Sequence, residues 1–217
     1  YNGSSLLIDC GEGTQIAMKE AGLSPNPIDV ICFTHYHGDH VFGLPGLLQT
    51  MGSMGRADPL LITGPEGLEA AVEPLLTLAD RLPFPVTLQK MPLEGLRLCF
   101  VAPEWPRRAV LRAFPTRHRV PSQGYAFSLG RAGKFLPERA KALGVPIAQW
   151  KLLQGGEDVT VDGRSITPAE VMERERSGLS FVFSGDTAPC PGLDEAAREA
   201  DLIICEATYG EDEQAPL

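Results

Sequence analysis

The hydrophobic positions of this chain form short apolar runs that are separated by amphipathic stretches and by turn residues. In its first part, three runs have the length and the apolar character of buried strands: Ser5–Cys10, Asp29–Thr34 and Leu60–Thr63. Helical patterns follow these runs at Thr14–Ala21, from Leu44 onward and at Leu68–Ala79. Strands that alternate with helices in this way predict an α/β fold.

The second part of the chain continues with more strands and fewer helices. Strands are predicted at Leu96–Ala102, Ala109–Pro115, Gly124–Leu129, Ser180–Ser184 and Asp201–Cys205, and a helix at Leu193–Glu199. Residues 137–168 differ, because a short helix near Glu138–Leu143 is followed by a loop and by a hairpin-like unit over Asp158–Arg164. We therefore expect a single domain, 1–217, that carries an arm-like insertion at about 137–168.

A cluster of metal-binding residue types directly follows the second predicted strand. The sequence H-Y-H-G-D-H, from His35 to His40, contains three of the four histidines of the chain. Imidazole suits zinc and carboxylate suits harder cations, so this set predicts a site for one or two divalent ions. His35 and His37 share one side of an extended segment, whereas Asp39 and His40 come after a turn and reach toward a second ion. A solvated polar loop is the plain alternative.

Three further strands end at acidic residues, namely Asp9, Asp186 and Glu206. When strand ends converge on one edge of a sheet, they gather such residues in a cleft, here together with the histidine loop. Glu206 also stands in an acidic tail, where a surface carboxylate is the simpler interpretation. Asp9 is better explained as a structural residue, or as a partner of a metal ligand, than as a ligand itself.

Composition narrows the class of protein. The chain has 217 residues, of which 43% are hydrophobic and 22% charged, which is enough for a real core. It contains no apolar run long enough to span a membrane and no recognisable signal peptide at its start. Its five cysteines are scattered without C-x-x-C spacing. We expect reduced, mostly buried thiols in a cytoplasmic protein.

Charge is distributed unevenly along the chain. The formal net charge is −9, which by itself argues against a nucleic-acid partner. However, residues 105–151 hold ten lysines and arginines and a single acid, whereas residues 190–217 hold eight acids and one base. This asymmetry predicts a local field that attracts a polyanion. Charges scattered for solubility are the alternative interpretation.

The histidine loop is accompanied by further motifs along nearly the whole chain. They are Asp9–Gln15 (D-C-G-E-G-T-Q), Gly43–Leu48 (G-L-P-G-L-L), Gly64–Gly67, His118 with Val120–Ser122, Leu143–Pro146, Gly185–Thr187 and Glu206–Thr208. In this order they resemble the ribonuclease Z family, the tRNA 3′-processing endonucleases of the metallo-β-lactamase superfamily. The histidine loop marks only the superfamily, whereas the first two motifs are more specific to ribonuclease Z.

The resemblance implies a fold and a metal site. The fold is a metallo-β-lactamase-like αββα sandwich with an arm-like insertion, in a domain that we expect to be incomplete at both ends. The implied first zinc ion has the ligands His35, His37 and His118; the second has Asp39 and His40; and Asp186 bridges the two ions. Two zinc ions per complete chain are expected, with manganese as the alternative metal.

The resemblance also implies an activity and partners. It predicts a zinc-dependent endoribonuclease that hydrolyses a phosphodiester bond at the 3′ end of precursor tRNA, and it predicts a homodimer. Asp39 would orient or deprotonate the attacking water, and Glu206 would position an imidazole. The family's H-E-A-T motif reads Cys205-Glu206-Ala207-Thr208 here, so the histidine of that motif is replaced by a cysteine.

Three other functional interpretations are compatible with these residues. The first is a hydrolase of the same superfamily that acts on a small phosphodiester, sulfate ester or lactone. The second is an inactive nucleic-acid-binding relative with an incomplete metal centre. The third is a zinc-stabilised structural module, although structural zinc sites usually close with four cysteine or histidine ligands.

Overall fold

Two sheets and one small hairpin contain the strands of the protein. The computed structural model describes residues 3–92, 94–174 and 176–208. Within these ranges the strands are β1 (Ser5–Ile8), β2 (Ile28–Cys32), β3 (Leu60–Thr63), β4 (Val86–Leu88), β5 (Leu96–Arg97), β6 (Ala109–Pro115), β7 (Gln123–Arg131), β8 (Val159–Val161), β9 (Arg164–Ile166), β10 (Arg176–Phe183) and β11 (Leu202–Ile204).

The helices include the five that the sequence predicts, together with three short ones that it does not. They are α1 (Thr14–Glu20), α2 (Gly38–Val41), α3 (Leu44–Ser53), α4 (Leu68–Leu78), α5 (Pro137–Ala142), α6 (Trp150–Gly155), α7 (Pro168–Val171) and α8 (Pro191–Ala197). Single 3-10 turns occur at Leu98–Phe100 and Ile147–Gln149. None of the helices in the described part of the chain is long and apolar enough to cross a membrane.

The first sheet has the strand order β1-β2-β3-β4, and all of its strands are parallel. In β2, Val30 and Ile31 are completely buried and pair with Leu61 and Ile62 of β3. Burial on both faces explains the nearly continuous apolar sequence of these strands. Phe33, directly after β2, also belongs to this core. Its burial holds the chain in place just before the histidine loop.

The second sheet has the order β11-β10-β7-β6-β5. The predicted strand Leu96–Ala102 is wrong beyond Arg97, because the chain turns into a 3-10 helix there. Leu98 is fully buried, but Phe100 is 82% exposed, so the apolar residues of this segment do not share one buried face. A short apolar run does not by itself distinguish a strand from another buried segment.

The described residues divide into two compact units, one from residues 3–127 and 180–208 and the other within 128–179. The second unit has its own hydrophobic core, which includes Ala140, Leu153 and Val171. It contains the predicted short helix as α5 and the predicted hairpin as the antiparallel pair β8–β9. The prediction of a plain loop between them is wrong, because α6 forms there and buries Leu153 in this core. Asp162 and Gly163 both have positive φ in the hairpin turn, as a type I′ turn requires.

The five cysteines are free thiols, as the sequence predicts. Cys10, Cys32 and Cys190 are buried, Cys99 is half-buried and Cys205 is exposed. Burial raises the pKa of the Cys10 thiol to about 12, so this buried side chain behaves as a small apolar group rather than as a nucleophile.

Candidate metal centre

The histidine loop leaves the carboxyl end of β2 and turns at once into the short helix α2. Thr34 and His35 are fully buried, and His37 is the last extended residue before the helix begins at Gly38. A Cβ atom at Gly38 would clash with the ring of Phe42, so glycine is the residue that fits this turn without displacing that ring. The turn reverses the chain, and His40 therefore lies beside His35, with ring centroids 4.1 Å apart.

Three histidines form the first group of candidate ligands. Nε2 of His35 lies 2.9 Å from Nδ1 of His37, and Nε2 of His118 lies 3.3 Å from the same nitrogen. His118 comes from the loop after β6, in the second sheet. The sequence predicted this residue only through the family resemblance, and the fold brings it to the histidine loop. One ring nitrogen from each residue lies within 4.8 Å of the others.

A second group consists of His35, His40 and Asp186, again with donor atoms within 4.8 Å of one another. Asp186 follows β10; its carboxylate oxygens lie 3.9 Å from Nε2 of His35 and 3.6 Å from Nε2 of His40. Asp39 belongs to neither group of described residues. Its Oδ2 lies 3.6 Å from Nε2 of His40, and its side chain is 78% exposed. The assignment of Asp39 as a ligand stays a prediction.

The charge states of the imidazoles fit a cation site. Burial, followed by the proximity of the other imidazoles, lowers the pKa of His35 to about 4. Burial is also the largest cause that lowers the pKa of His118. Neutral imidazole is the form that ligates metal ions, and so the environment of His35 and His118 favours the required protonation state. Protonating several neighbouring imidazoles at once is unfavourable, because their positive charges repel one another. This set of donors therefore accommodates a divalent cation better than it accommodates several protons.

Asp9 holds His40 by Nδ1, whereas Nε2 of the same ring faces Asp186. Oδ2 of Asp9 accepts hydrogen bonds from Nδ1 of His40 and from Oγ1 of Thr34, each at 2.8 Å, and its Oδ1 accepts the Thr34 N–H. The hydrogen bond to Asp9 is the main cause that raises the pKa of His40. A carboxylate that orients a ligating histidine in this way is common around metal sites, and it agrees with the expectation that Asp9 is not itself a ligand.

Glu206 lies beside the Asp186 loop. Its Oε1 accepts the main-chain N–H of Thr187 at 3.3 Å, and its Oε2 accepts that of Thr208 at 2.9 Å. The hydrogen bond from Thr208 is the largest cause that lowers the pKa of Glu206. The carboxylate is therefore ionised and anchored to the main chain; its predicted role in positioning an imidazole stays a prediction.

Several residues that position the site were not predicted from the sequence. The Tyr125 hydroxyl donates to the main-chain oxygen of Phe33 at 2.8 Å, and the Gln123 N–H donates to that of Thr34 at 2.9 Å. Gly185 has φ +62 and lies so close to Thr34 that a Cβ atom would clash. These contacts join the two sheets next to the histidine loop. The sequence signal was weak, because no motif links residues so distant along the chain.

The fold and the site together define a metallo-β-lactamase-fold protein with a histidine-rich centre. A family model described as the metallo-beta-lactamase superfamily matches residues 1–84. The structure is similar to the crystal structure of human tRNase Z, short form, with a TM-score of 0.60 and 25% identity, covering 97% of this chain and 70% of that one. It shares the fold of the Bacillus subtilis protein YhfI, with a TM-score of 0.57, 17% identity, and coverage of 97% of this chain and 61% of that one.

Two curated relatives specify the family more narrowly. Ribonuclease Z of Lachnospira eligens is 47% identical over 212 residues, which cover 98% of this chain and 68% of the relative. Ribonuclease Z of Clostridium acetobutylicum is 40% identical over 218 residues, covering 99% and 69%. The chain therefore belongs to the ribonuclease Z family, and the predicted α/β metallo-β-lactamase fold is confirmed.

Proposed function

We propose that this protein is a metal-dependent endoribonuclease that hydrolyses a phosphodiester bond at the 3′ end of precursor tRNA. The observation that carries the proposal is the presence of two groups of metal-donor side chains that share His35. The first group adds His37 and His118, and the second adds His40 and Asp186; within each group the donor atoms lie within 4.8 Å of one another. Membership of the ribonuclease Z family supports the choice of RNA over a small ester.

His35, His37 and His118 would hold the first ion, and His40 with Asp39 the second. Asp186 would lie between the two ions, because its carboxylate oxygens reach toward both His35 and His40. A bound pair of zinc ions, or of manganese ions, would supply hydroxide at neutral pH and neutralise charge that develops on phosphorus.

The side chains of this chain have separate tasks in the proposed reaction. The exposed carboxylate of Asp39 accepts the proton of the attacking water. Asp9 keeps the His40 ring oriented through its Nδ1–H. Hydrolysis then leaves a 3′-hydroxyl on the tRNA and a 5′-phosphate on the released trailer.

The RNA would be held through its phosphates. In the second unit, Arg139 and Lys141 on α5 and Lys151 on α6 are exposed. Lys141 lies 3.1 Å from Glu138, but exposed ion pairs of this kind are weak and exchange readily with a phosphate. Together with the basic residues of 105–131, they are proposed to attract precursor tRNA. We propose further that the protein acts in the cytoplasm as a homodimer, which sedimentation equilibrium would test.

Cleavage of precursor tRNA by the purified chain with added zinc or manganese tests the function. His37→Ala and Asp186→Ala are expected to lower the cleavage rate on the order of 10³-fold, since each removes a ligand of the ions that activate water. Asp58→Ala, which removes an exposed carboxylate that belongs to neither donor group, is the control and should cleave normally. Near-normal cleavage by His37→Ala would refute the mechanism. Cleavage of small phosphodiesters but never of precursor tRNA would favour a small-ester hydrolase.

A further inference from the structure

Two of the candidate ligands come shortly after strands that are not neighbours in the sheet. His118 follows β6 and Asp186 follows β10, and β7 lies between these strands in the sheet. Within the described part of the sheet, the ends of β6 and β10 are therefore not paired directly with each other. The relative position of the two ligands depends on contacts that their loops make beyond the strand ends.

Thr187 supplies such a contact. Its Oγ1 accepts the main-chain N–H of Arg117 at 3.0 Å and donates to the main-chain oxygen of Ala188 at 2.7 Å. The N–H of Ala188 donates to the oxygen of Arg117 at 2.9 Å, which forms an isolated antiparallel bridge. Both main-chain polar groups of Arg117 are thus bonded to the two residues that follow Asp186.

The position of Thr187 in the sequence couples the two ligands. Arg117 immediately precedes His118, and Thr187 immediately follows Asp186, so one hydroxyl links residues adjacent to both. The main-chain N–H of Thr187 also donates to Glu206, which lies beyond β11. Thr187 is consequently the residue where the loops after β6, β10 and β11 are bonded to one another, through its hydroxyl to the first and through its main-chain N–H to the last. Thr187 itself is only 7% exposed.

We propose that Thr187 is a positioning residue whose hydroxyl sets the distance between His118 and Asp186. The inference builds on the proposed function, since these residues matter as metal ligands there. Loss of the hydroxyl removes the acceptor of the partly buried hydrogen bond from the Arg117 N–H and lets the His118 loop move relative to the Asp186 loop. Partners that orient ligands typically change metal affinity about 10–100-fold when they are removed.

Three substitutions separate the hydroxyl from the packing of the side chain. Thr187→Val keeps the shape and removes the hydroxyl, whereas Thr187→Ser keeps the hydroxyl and removes the methyl group. Thr63→Val is the matched control, because Thr63 is buried on β3 and its Oγ1 has no hydrogen-bond partner among the described residues. If Thr187→Val does not fold, Thr187→Ala removes the hydroxyl without adding a new contact and takes its place.

The first measurement is the titration of each metal-free protein with cobalt(II), followed by its visible absorption. Thr187→Val should bind cobalt about 10–100-fold more weakly than the unsubstituted chain, while Thr187→Ser stays within about threefold and Thr63→Val is unchanged. Cobalt affinity of Thr187→Val within about twofold of the unsubstituted chain would overturn the proposal. So would an equal loss in Thr187→Ser, because packing and not the hydroxyl would then be responsible.

The second measurement does not depend on metal. Amide exchange of Arg117 in the metal-free protein should be about tenfold faster in Thr187→Val, which lacks the acceptor of this N–H, and unchanged in Thr187→Ser. If the unsubstituted chain binds no cobalt, the proposed function fails, and this exchange experiment still decides whether Thr187 couples the two loops. Equal Arg117 exchange in all variants would refute the coupling.

Discussion

Asp9 and His40 are joined by a hydrogen bond of 2.8 Å from Nδ1 of the imidazole to Oδ2 of the carboxylate, across 31 positions of the sequence. Asp9 adopts the left-handed conformation, with φ 58, at the end of β1. This conformation costs energy for a residue with a side chain, and the three hydrogen bonds that Asp9 accepts from His40 and Thr34 offset it. These hydrogen bonds therefore hold the end of β1 against the histidine loop.

Replacement of Asp9 should weaken both the fold and the metal centre. Asp9→Ala removes the acceptor of the Thr34 N–H and of the His40 Nδ1–H and leaves the Thr34 hydroxyl only its contact with Nδ1 of His35, which should lower the free energy of unfolding by about 2–4 kcal/mol. Asp9→Asn retains acceptor capacity and should lose less. Urea unfolding of the metal-free proteins measures this, and cobalt titration should show about 10–100-fold weaker binding for Asp9→Ala. Equal stability of Asp9→Ala and the unsubstituted chain would contradict the prediction.

The metal-free protein should lose stability as the pH falls. His35 has a pKa of about 4 in the folded state, below its value of about 6.5 in the unfolded chain. Between these values the unfolded state binds more protons, so His35 lowers the free energy of unfolding as the pH drops, by at most about 3 kcal/mol. His118 acts in the same direction, whereas the raised pKa of His40 acts in the opposite one.

Urea unfolding at a series of pH values between 7 and 4 checks this prediction. His35→Gln, which cannot be protonated, should show a smaller loss of stability over the same range. The same slope in both proteins would mean that other groups control the acid sensitivity.

Close main-chain approach makes Gly43 sensitive to substitution. A Cβ atom at this position would clash with the main-chain oxygen of Gly11, which cannot rotate away as a side chain can. Gly43→Ala should therefore lower the free energy of unfolding by about 1–3 kcal/mol. Gly155→Ala is the control, because Gly155 lies in α6 and a Cβ atom there meets nothing within 4 Å. Thermal unfolding should show a lower Tm only for Gly43→Ala; similar Tm values would show that the loops adjust without cost.

Reversal of exposed basic residues in the second unit should weaken RNA binding without affecting the metal centre. The triple variant Arg139→Glu, Lys141→Glu, Lys151→Glu should bind precursor tRNA more weakly. The slope of log affinity against log salt concentration should also become shallower, as expected for the loss of about two to three phosphate contacts. Filter binding at several salt concentrations measures both quantities. Hydrolysis of a small phosphodiester should stay nearly unchanged. Affinity that responds neither to salt nor to the reversals would show that these side chains only solvate the surface.

Local patterns in the sequence were sufficient for most of the elements. The predicted strands Leu60–Thr63 and Ala109–Pro115 coincide with β3 and β6, and the predicted helix Leu68–Ala79 differs from α4 by one residue. Strand and helix periods are local properties of the backbone, so the order of apolar residues reports them directly. The composition of the histidine loop likewise indicated a metal-type site, because the chemistry of the donors is carried by the side chains themselves.

The tertiary structure alone decided which contacts hold these donors in place, although the sequence already indicated Asp9 as a structural residue or a partner of a metal ligand. The bonds of Asp9 to His40, of Tyr125 to Phe33 and of Thr187 to Arg117 span from 31 to 92 positions. The turn after Arg97 was likewise missed, since whether Leu98 or Phe100 is buried depends on what packs against that segment. Such contacts leave no periodic pattern in the sequence, because they form between the ends of strands that are distant along the chain. Which strand ends come close together is decided by the packing of the sheets.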